Sequence, residues 1–268
     1  MAQSVDPTAP ILILDSGLGG LTVLGEIRQI LPTASLIYAA DYAGLPYGTK
    51  SEAEVAARVC GLLGRMSERY KPRAICIACN TASTIALEMV RDVLEVPIVG
   101  TVPAIKPAAA ITRTGTIGLL GTAATIRQPY VDRLEADFAA DKRLVRHAAP
   151  GLVDLAEAKL RGDAVDPMAI RSEVSGLLEA DGASDIDTVV LACTHFPLLE
   201  AELAEVFGPE VQFVHGAAGI ARRMATVVHG QQFAPPPHHR AVTTGEVARL
   251  HGLAPLFARF GFETIEQF

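Results

Sequence analysis

Short runs of Ile, Leu and Val alternate along the chain with longer Ala-rich stretches in which apolar residues return every three or four positions. The first pattern predicts strands and the second amphipathic helices. Strands are predicted at 11–15 (ILILD), 35–40, 74–79 (AICIAC), 97–102, 116–122, 144–149, 188–193 (TVVLAC) and 212–216. Helices are predicted near 20–30, 51–69, 82–94, 123–140, 166–180, 198–206, 217–228 and 246–259. The strand runs are apolar at odd and even positions alike, as strands buried on both faces of a parallel sheet are. The pattern therefore predicts an α/β protein. Its strand-ending motifs fall into two sets, one before about residue 100 and one after about residue 115, with TVPAIKPAAA between them as a connector. Two similar parallel-sheet units explain this repetition, and its plainest sign is that AICIACNT and TVVLACTH end alike.

Composition narrows what these units do. At 268 residues, 50% hydrophobic and 20% charged, the chain has enough apolar material to bury a substantial core. A net charge of −7 argues against nucleic acid as a partner, because phosphate binding draws on basic surface. The opening MAQSVDPTAP lacks a basic start and a long apolar stretch, and no apolar run approaches the roughly 18 residues that span a bilayer. A cytoplasmic protein without a membrane partner is expected, and Cys60, Cys76, Cys79 and Cys193 are then thiols rather than a disulfide framework. The stretch HGQQFAPPPHHR (229–240) reads as a solvated proline-rich loop rather than a histidine metal site.

In parallel α/β sheets ligands bind beyond the carboxyl ends of the strands. The residues standing there are Asp15-Ser16-Gly17, Pro46-Tyr47-Gly48, Cys79-Asn80-Thr81, Gly121-Thr122 and Cys193-Thr194-His195. Taken singly, each has a structural explanation: Asp15 or Ser16 as a helix cap, Asn80 and Thr81 as turn residues, a strand cysteine as a small buried hydrophobe. Taken together, they repeat polar and nucleophilic groups at one topological position. Several chemistries compete for them. SGLGG resembles a phosphate loop, but position 22 is Thr where a dinucleotide fingerprint needs its third glycine. Cys76 and Cys79 have CxxC spacing inside an apolar run, whereas redox pairs sit at exposed helix starts. Cys79, Cys193, His195 and Asp15 are zinc-ligand types without a close paired spacing. The remaining chemistry uses two thiols as acid and base. Inverting a carbon centre without a cofactor needs a proton removed on one face and returned on the other. Cysteine suits both tasks because its ordinary pKa of about 8.5 lies close to neutrality. Asp15 would assist one thiol and His195 the other, while Asn80 and the hydroxyls hold amino-acid carboxylate and ammonium groups. No lysine in these motifs offers a pyridoxal Schiff base.

In order along the chain, LDSGLGGLTVLGEI, DYAGLPYGTKS, CIACNTAS, PIVGTVPA, GLLGTAATI and LACTHFPLL resemble the motifs of the glutamate racemases, within the cofactor-independent aspartate and glutamate racemase superfamily. The resemblance runs from about residue 11 to the carboxyl terminus. It implies two pseudosymmetric α/β domains, 1–101 with 215–268 and 102–214, and an active site in the cleft between them. It implies Cys79 and Cys193 as catalytic thiols, with Asp15, His195 and Glu157 assisting. It implies substrate contacts from Asp15, Ser16, Tyr47, Gly48, Asn80, Thr81, Thr122, Thr125, Thr194 and His195. No cofactor or metal is implied. The expected activity is interconversion of L- and D-glutamate by a homodimer, supplying D-glutamate for peptidoglycan, with aspartate or another amino acid as the alternative substrate and a silent binding homologue as the other alternative. One departure stands at His215-Gly216, where the family pattern expects a small hydroxyl residue.

Overall fold

A computed structural model describes residues 6–262 and 265–268. The chain divides into two compact units, Met1–Thr101 with Ala217–Phe268, and Val102–Gly216. The first unit begins with β1 (Ile11–Asp15), α1 (Leu21–Ile30), β2 (Leu36–Ala40), α2 (Glu52–Tyr70), β3 (Ala74–Ile77), α3 (Asn80–Val93) and β4 (Ile98–Gly100). The second contains α4 (Ile105–Ile111), β5 (Thr116–Gly121), α5 (Ala123–Ile126), α6 (Pro129–Phe138), β6 (Arg143–Ala148), α7 (Gly151–Leu160), α8 (Pro167–Leu178), β7 (Ile186–Ala192), α9 (Glu200–Phe207) and β8 (Gln212–Val214). The chain then returns to the first unit with α10 (Ala217–Val227), β9 (His239–Thr243), α11 (Ala254–Arg259) and β10 (Ile265–Gln267).

Each unit is built on one parallel sheet. In the first the strand order is β10-β9-β2-β1-β3-β4, and in the second it is β6-β5-β7-β8. Every described pairing is parallel. The order second-first-third-fourth occurs in both, as β2-β1-β3-β4 and as β6-β5-β7-β8, with β9 and β10 extending the first unit at its β2 edge. Cys79 and Cys193 therefore each follow the third strand of the array by one or two residues. The repeated ending seen in the sequence is a repeated position in the fold.

Local sequence explains why these elements form. The five residues of β1 are all buried, which suits a central strand with helices on both faces. The long helix α2 opens on a capping box in which Ser51 and Glu54 satisfy each other's backbone amides. It buries Val55, Val59, Leu62, Leu63 and Met66 along one stripe, each contributing about 2 kcal/mol of burial. These side chains pack on Leu12, Leu14, Ile75 and Ile77 of β1 and β3, in a core that also takes in Tyr47 and Cys79. In the second unit Ile117, Leu119 and Val190 of β5 and β7 pack with Ile105 and Val131 of α4 and α6. The predicted helix over 123–140 is two helices, because Pro129 starts α6 at its first position after a short α5. The connector TVPAIKPAAA holds α4. Among the described residues no helix is long and apolar enough to cross a membrane.

A buried carboxylate locks the second unit. Asp187 on β7 accepts from Thr112 Oγ1 (2.6 Å), Thr188 Oγ1 (3.0 Å) and the backbone amides of Arg113 (2.7 Å) and Thr114 (3.1 Å). Burial by itself would raise its pKa, but these donors outweigh that and hold it down at about 2. A carboxyl held below its unfolded value stabilises the fold above about pH 4 and ceases to do so as the pH falls from about 4 to about 2. The shift is worth about 2 kcal/mol. Asp187→Asn is expected to cost that much at pH 7, because an amide turns an N–H towards donors. Denaturant melts should show the variant and parent converging near pH 2.

Candidate active site

In the first unit the site residues gather at the carboxyl ends of β1, β2 and β3. Asp15 closes β1, fully buried, and its Oδ2 accepts from the amide of Gly20 at 2.8 Å and, more weakly, of Gly17 at 3.4 Å. The capping explanation for Asp15 is thus part of its job: it fixes the loop between β1 and α1. Tyr38 of β2 donates to the Gly17 carbonyl at 2.8 Å and holds the same loop from beneath. Ser16 stands next, with its Oγ 3.6 Å from the Cys79 sulfur. Cys79 is 6% exposed and sits at the position preceding α3, a helix terminus whose amides favour negative charge. Asn80 and Thr81 form the buried first turn of α3, and among the described residues the Asn80 Oδ1 has no hydrogen-bond partner. Tyr47 and Gly48 lie on the short turn Tyr47–Thr49 after β2. The Tyr47 phenol is pushed far above its ordinary pKa, first by burial and then by Asp41, with Cys79 adding to it, so it stays a hydrogen-bond donor.

Close packing at Gly20 protects this arrangement. A Cβ there would lie 2.8 Å from the Asp15 Cβ and 3.1 Å from that of Ala78. Gly20→Ala is expected to displace Asp15 and the Ser16 loop and lower kcat/KM by roughly 10- to 100-fold in folded protein, measured by steady-state kinetics.

The second unit repeats the placement with different partners. Cys193 follows β7 and is 8% exposed, and its sulfur lies 3.9 Å from His195 Nδ1. The opposite ring nitrogen, His195 Nε2, is 2.9 Å from Glu157 Oε1 on α7. An ionised carboxylate can only accept, so beside it Nε2 carries a proton, and in the neutral ring Nδ1 then faces the thiol with its lone pair. Cys193, His195 and Glu157 form a line along which a proton can move to and from sulfur. All three are buried, as is Thr194. At the end of β5, Thr122 caps α5 by accepting from the Thr125 amide, and the two hydroxyls are 3.0 Å apart.

Cys76 differs from both thiols. It lies within β3, wholly enclosed, and its pKa is pushed up to about 12 by burial, with Asp15 adding to the shift. It stays protonated and acts as core. A cavity of about 430 Å3 in the first unit opens at the amino ends of its strands, near Pro10, Ser35, His239 and Arg240, and contains none of these groups. Among the described residues no cluster of three or more His, Cys, Asp or Glu side chains is arranged to hold a metal ion. Sequence patterns missed Asp41, which accepts from the Tyr47 hydroxyl, and Arg58 and Thr244, which donate to the same carboxylate. One signal was available: Asp41 follows the β2 run as Asp15 ends the β1 run.

Comparison with known proteins places the chain. The family model for Asp/Glu/Hydantoin racemase matches residues 21–224. The chain belongs to this racemase family. The glutamate racemase of Sphingopyxis alaskensis is 63% identical over 225 residues, which cover 84% of each protein. Among solved structures, the Escherichia coli glutamate racemase in complex with L-glutamate and the activator UDP-MurNAc-Ala superimposes with a TM-score of 0.89 at 40% identity, covering 97% of this chain and 98% of that one. A glutamate racemase isoform of Bacillus anthracis gives 0.83 at 29% identity, over 98% and 97% of the two chains. The racemase family thus accounts for the two parallel-sheet α/β units.

Proposed function

We propose that this racemase interconverts L-glutamate and D-glutamate by moving protons between the α-carbon and two thiols, Cys79 and Cys193. The observation that carries this reading is the buried thiol repeated after the third strand of each parallel array, with a different set of polar neighbours each time. One sulfur, as thiolate, takes the α-proton. The other, as thiol, gives a proton to the opposite face of the resulting carbanion. The protonation states of the two thiols are exchanged at the end of a turnover, and a turnover in the reverse direction restores them.

The neighbours divide the supporting work. His195 accepts the Cys193 proton through Nδ1 while Glu157 stabilises the imidazolium that results. Ser16 touches Cys79, and Asp15 fixes the loop that carries Ser16. Asn80, Thr81, Thr194, the Thr122–Thr125 pair and the Tyr47–Gly48 turn supply donors and acceptors for the substrate's carboxylates and ammonium. The chemistry draws on no cofactor or metal. D-Glutamate made this way feeds peptidoglycan synthesis, in a cytoplasmic homodimer that engages neither nucleic acid nor membrane.

The test is polarimetry of purified protein in chelator-treated buffer, with L-glutamate and L-aspartate offered separately. Glutamate should lose its rotation and aspartate should keep it. Loss of rotation with aspartate alone would move the assignment to another amino-acid racemase.

A further inference from the structure

Asp41 is a fully buried carboxylate that the proton transfers above do not use. Its Oδ2 accepts from the Tyr47 hydroxyl and from Arg58 Nε, and its Oδ1 accepts from Arg58 Nη2 at 2.6 Å and from Thr244 Oγ1. Its own amide donates to the Asp15 carbonyl at 2.8 Å. One residue thereby joins the ends of β1 and β2 through its backbone, and through its side chain the turn bearing Tyr47 and Gly48, helix α2 and the segment after β9. Thr244 Oγ1 also accepts from the Ala43 amide at 3.1 Å. The loop closes tightly over the pair, since a Cβ at Gly44 would fall 2.4 Å from both Arg58 Nε and Asp41 Oδ2.

The Tyr47–Thr49 turn is short and has little backbone bonding of its own, so side chains must decide where it sits. Tyr47 packs in the same core as Cys79. We infer that Asp41 is a positioning residue: its carboxylate, gripped by Arg58, holds the Tyr47 hydroxyl and so sets the Tyr47–Gly48 turn for the substrate. This rests on the reading of that turn as a substrate contact. A carboxylate is suited to the task because its two oxygens receive four donors, two from a guanidinium held in a fixed fork. An asparagine of the same shape must turn its amide hydrogens towards one pair of those donors.

If Asp41 positions the turn, Asp41→Asn should raise KM for glutamate about tenfold while kcat changes by no more than about threefold, since the thiols are untouched. Tyr47→Phe should shift KM in the same direction, and the double variant should do no worse than the stronger single one, because both break one tie. A merely structural Asp41 would lower the melting temperature and leave KM of the folded protein unchanged. Folded Asp41→Asn with the parent KM overturns the inference. Should that variant not fold, Tyr47→Phe and Thr244→Val each remove one bond to Asp41, and unchanged KM in both overturns it equally. Parent protein that does not racemise glutamate refutes the proposed function instead, so the two failures are distinct.

Discussion

Cys79→Ala and Cys193→Ala are each expected to lower kcat/KM for glutamate racemisation by at least about 10³-fold, with folded structure retained. The loss must be equal in both directions. Enantiomers have equal free energy in water, so the equilibrium constant is one and the two kcat/KM values are locked together. Each variant keeps one thiol with its neighbours, Ser16 beside Cys79 or His195 and Glu157 beside Cys193. It should still exchange the α-hydrogen of the enantiomer facing that thiol, without inverting it. Cys76→Ala is the control: a thiol enclosed in β3, with its pKa pushed up to about 12, should be replaceable with racemisation intact. Full activity in either of the first two variants would rule out the two-thiol scheme.

His195→Ala is expected to lower kcat by roughly 10²- to 10⁴-fold, the range for losing a positioned acid–base group. The imidazole lies between the Cys193 sulfur and Glu157, and no other side chain is described making both contacts. Glu157→Gln should be milder, roughly 10- to 100-fold. A glutamine can offer an N–H to His195 Nε2, which drives the ring proton to Nδ1 and presents the sulfur with a donor instead of an acceptor. The milder loss should come with a shifted pH–rate profile, since the carboxylate no longer stabilises imidazolium. Parent-like kcat in His195→Ala would remove the histidine from the mechanism.

The α/β class and the paired thiols were legible because they depend on local pattern. A run such as ILILD has no polar face, and a parallel strand needs none. The run AICIAC overstated its strand, which ends at Ile77, because apolarity does not distinguish a last strand residue from the cap of α3. Helix α4 was missed because Pro107 reads as a breaker, yet it falls in the first turn, where an amide has no partner to lose. Helix α7 starts at Gly151 after Pro150, a pair that equally resembles a turn. Glu157 on that helix was reachable only through family resemblance. Of the Asp41 network only Asp41 itself had a signal, its place after the β2 run, for Arg58 lies 17 residues away and Thr244 203 away. Contacts made only by folding leave no periodicity to read.

The two-thiol account is tested most directly by running L-glutamate in D2O and determining the α-hydrogen of the first D-glutamate formed by mass spectrometry. Thiol hydrogens exchange with solvent, so the group that delivers the new hydrogen carries deuterium while the group that removed the old one holds protium. The account predicts deuterium at Cα in essentially all early D-glutamate, while the remaining L-glutamate is still mostly protium. Early D-glutamate that keeps its protium would mean that one base carries the hydrogen across, and would contradict the assignment of Cys79 and Cys193 to opposite faces.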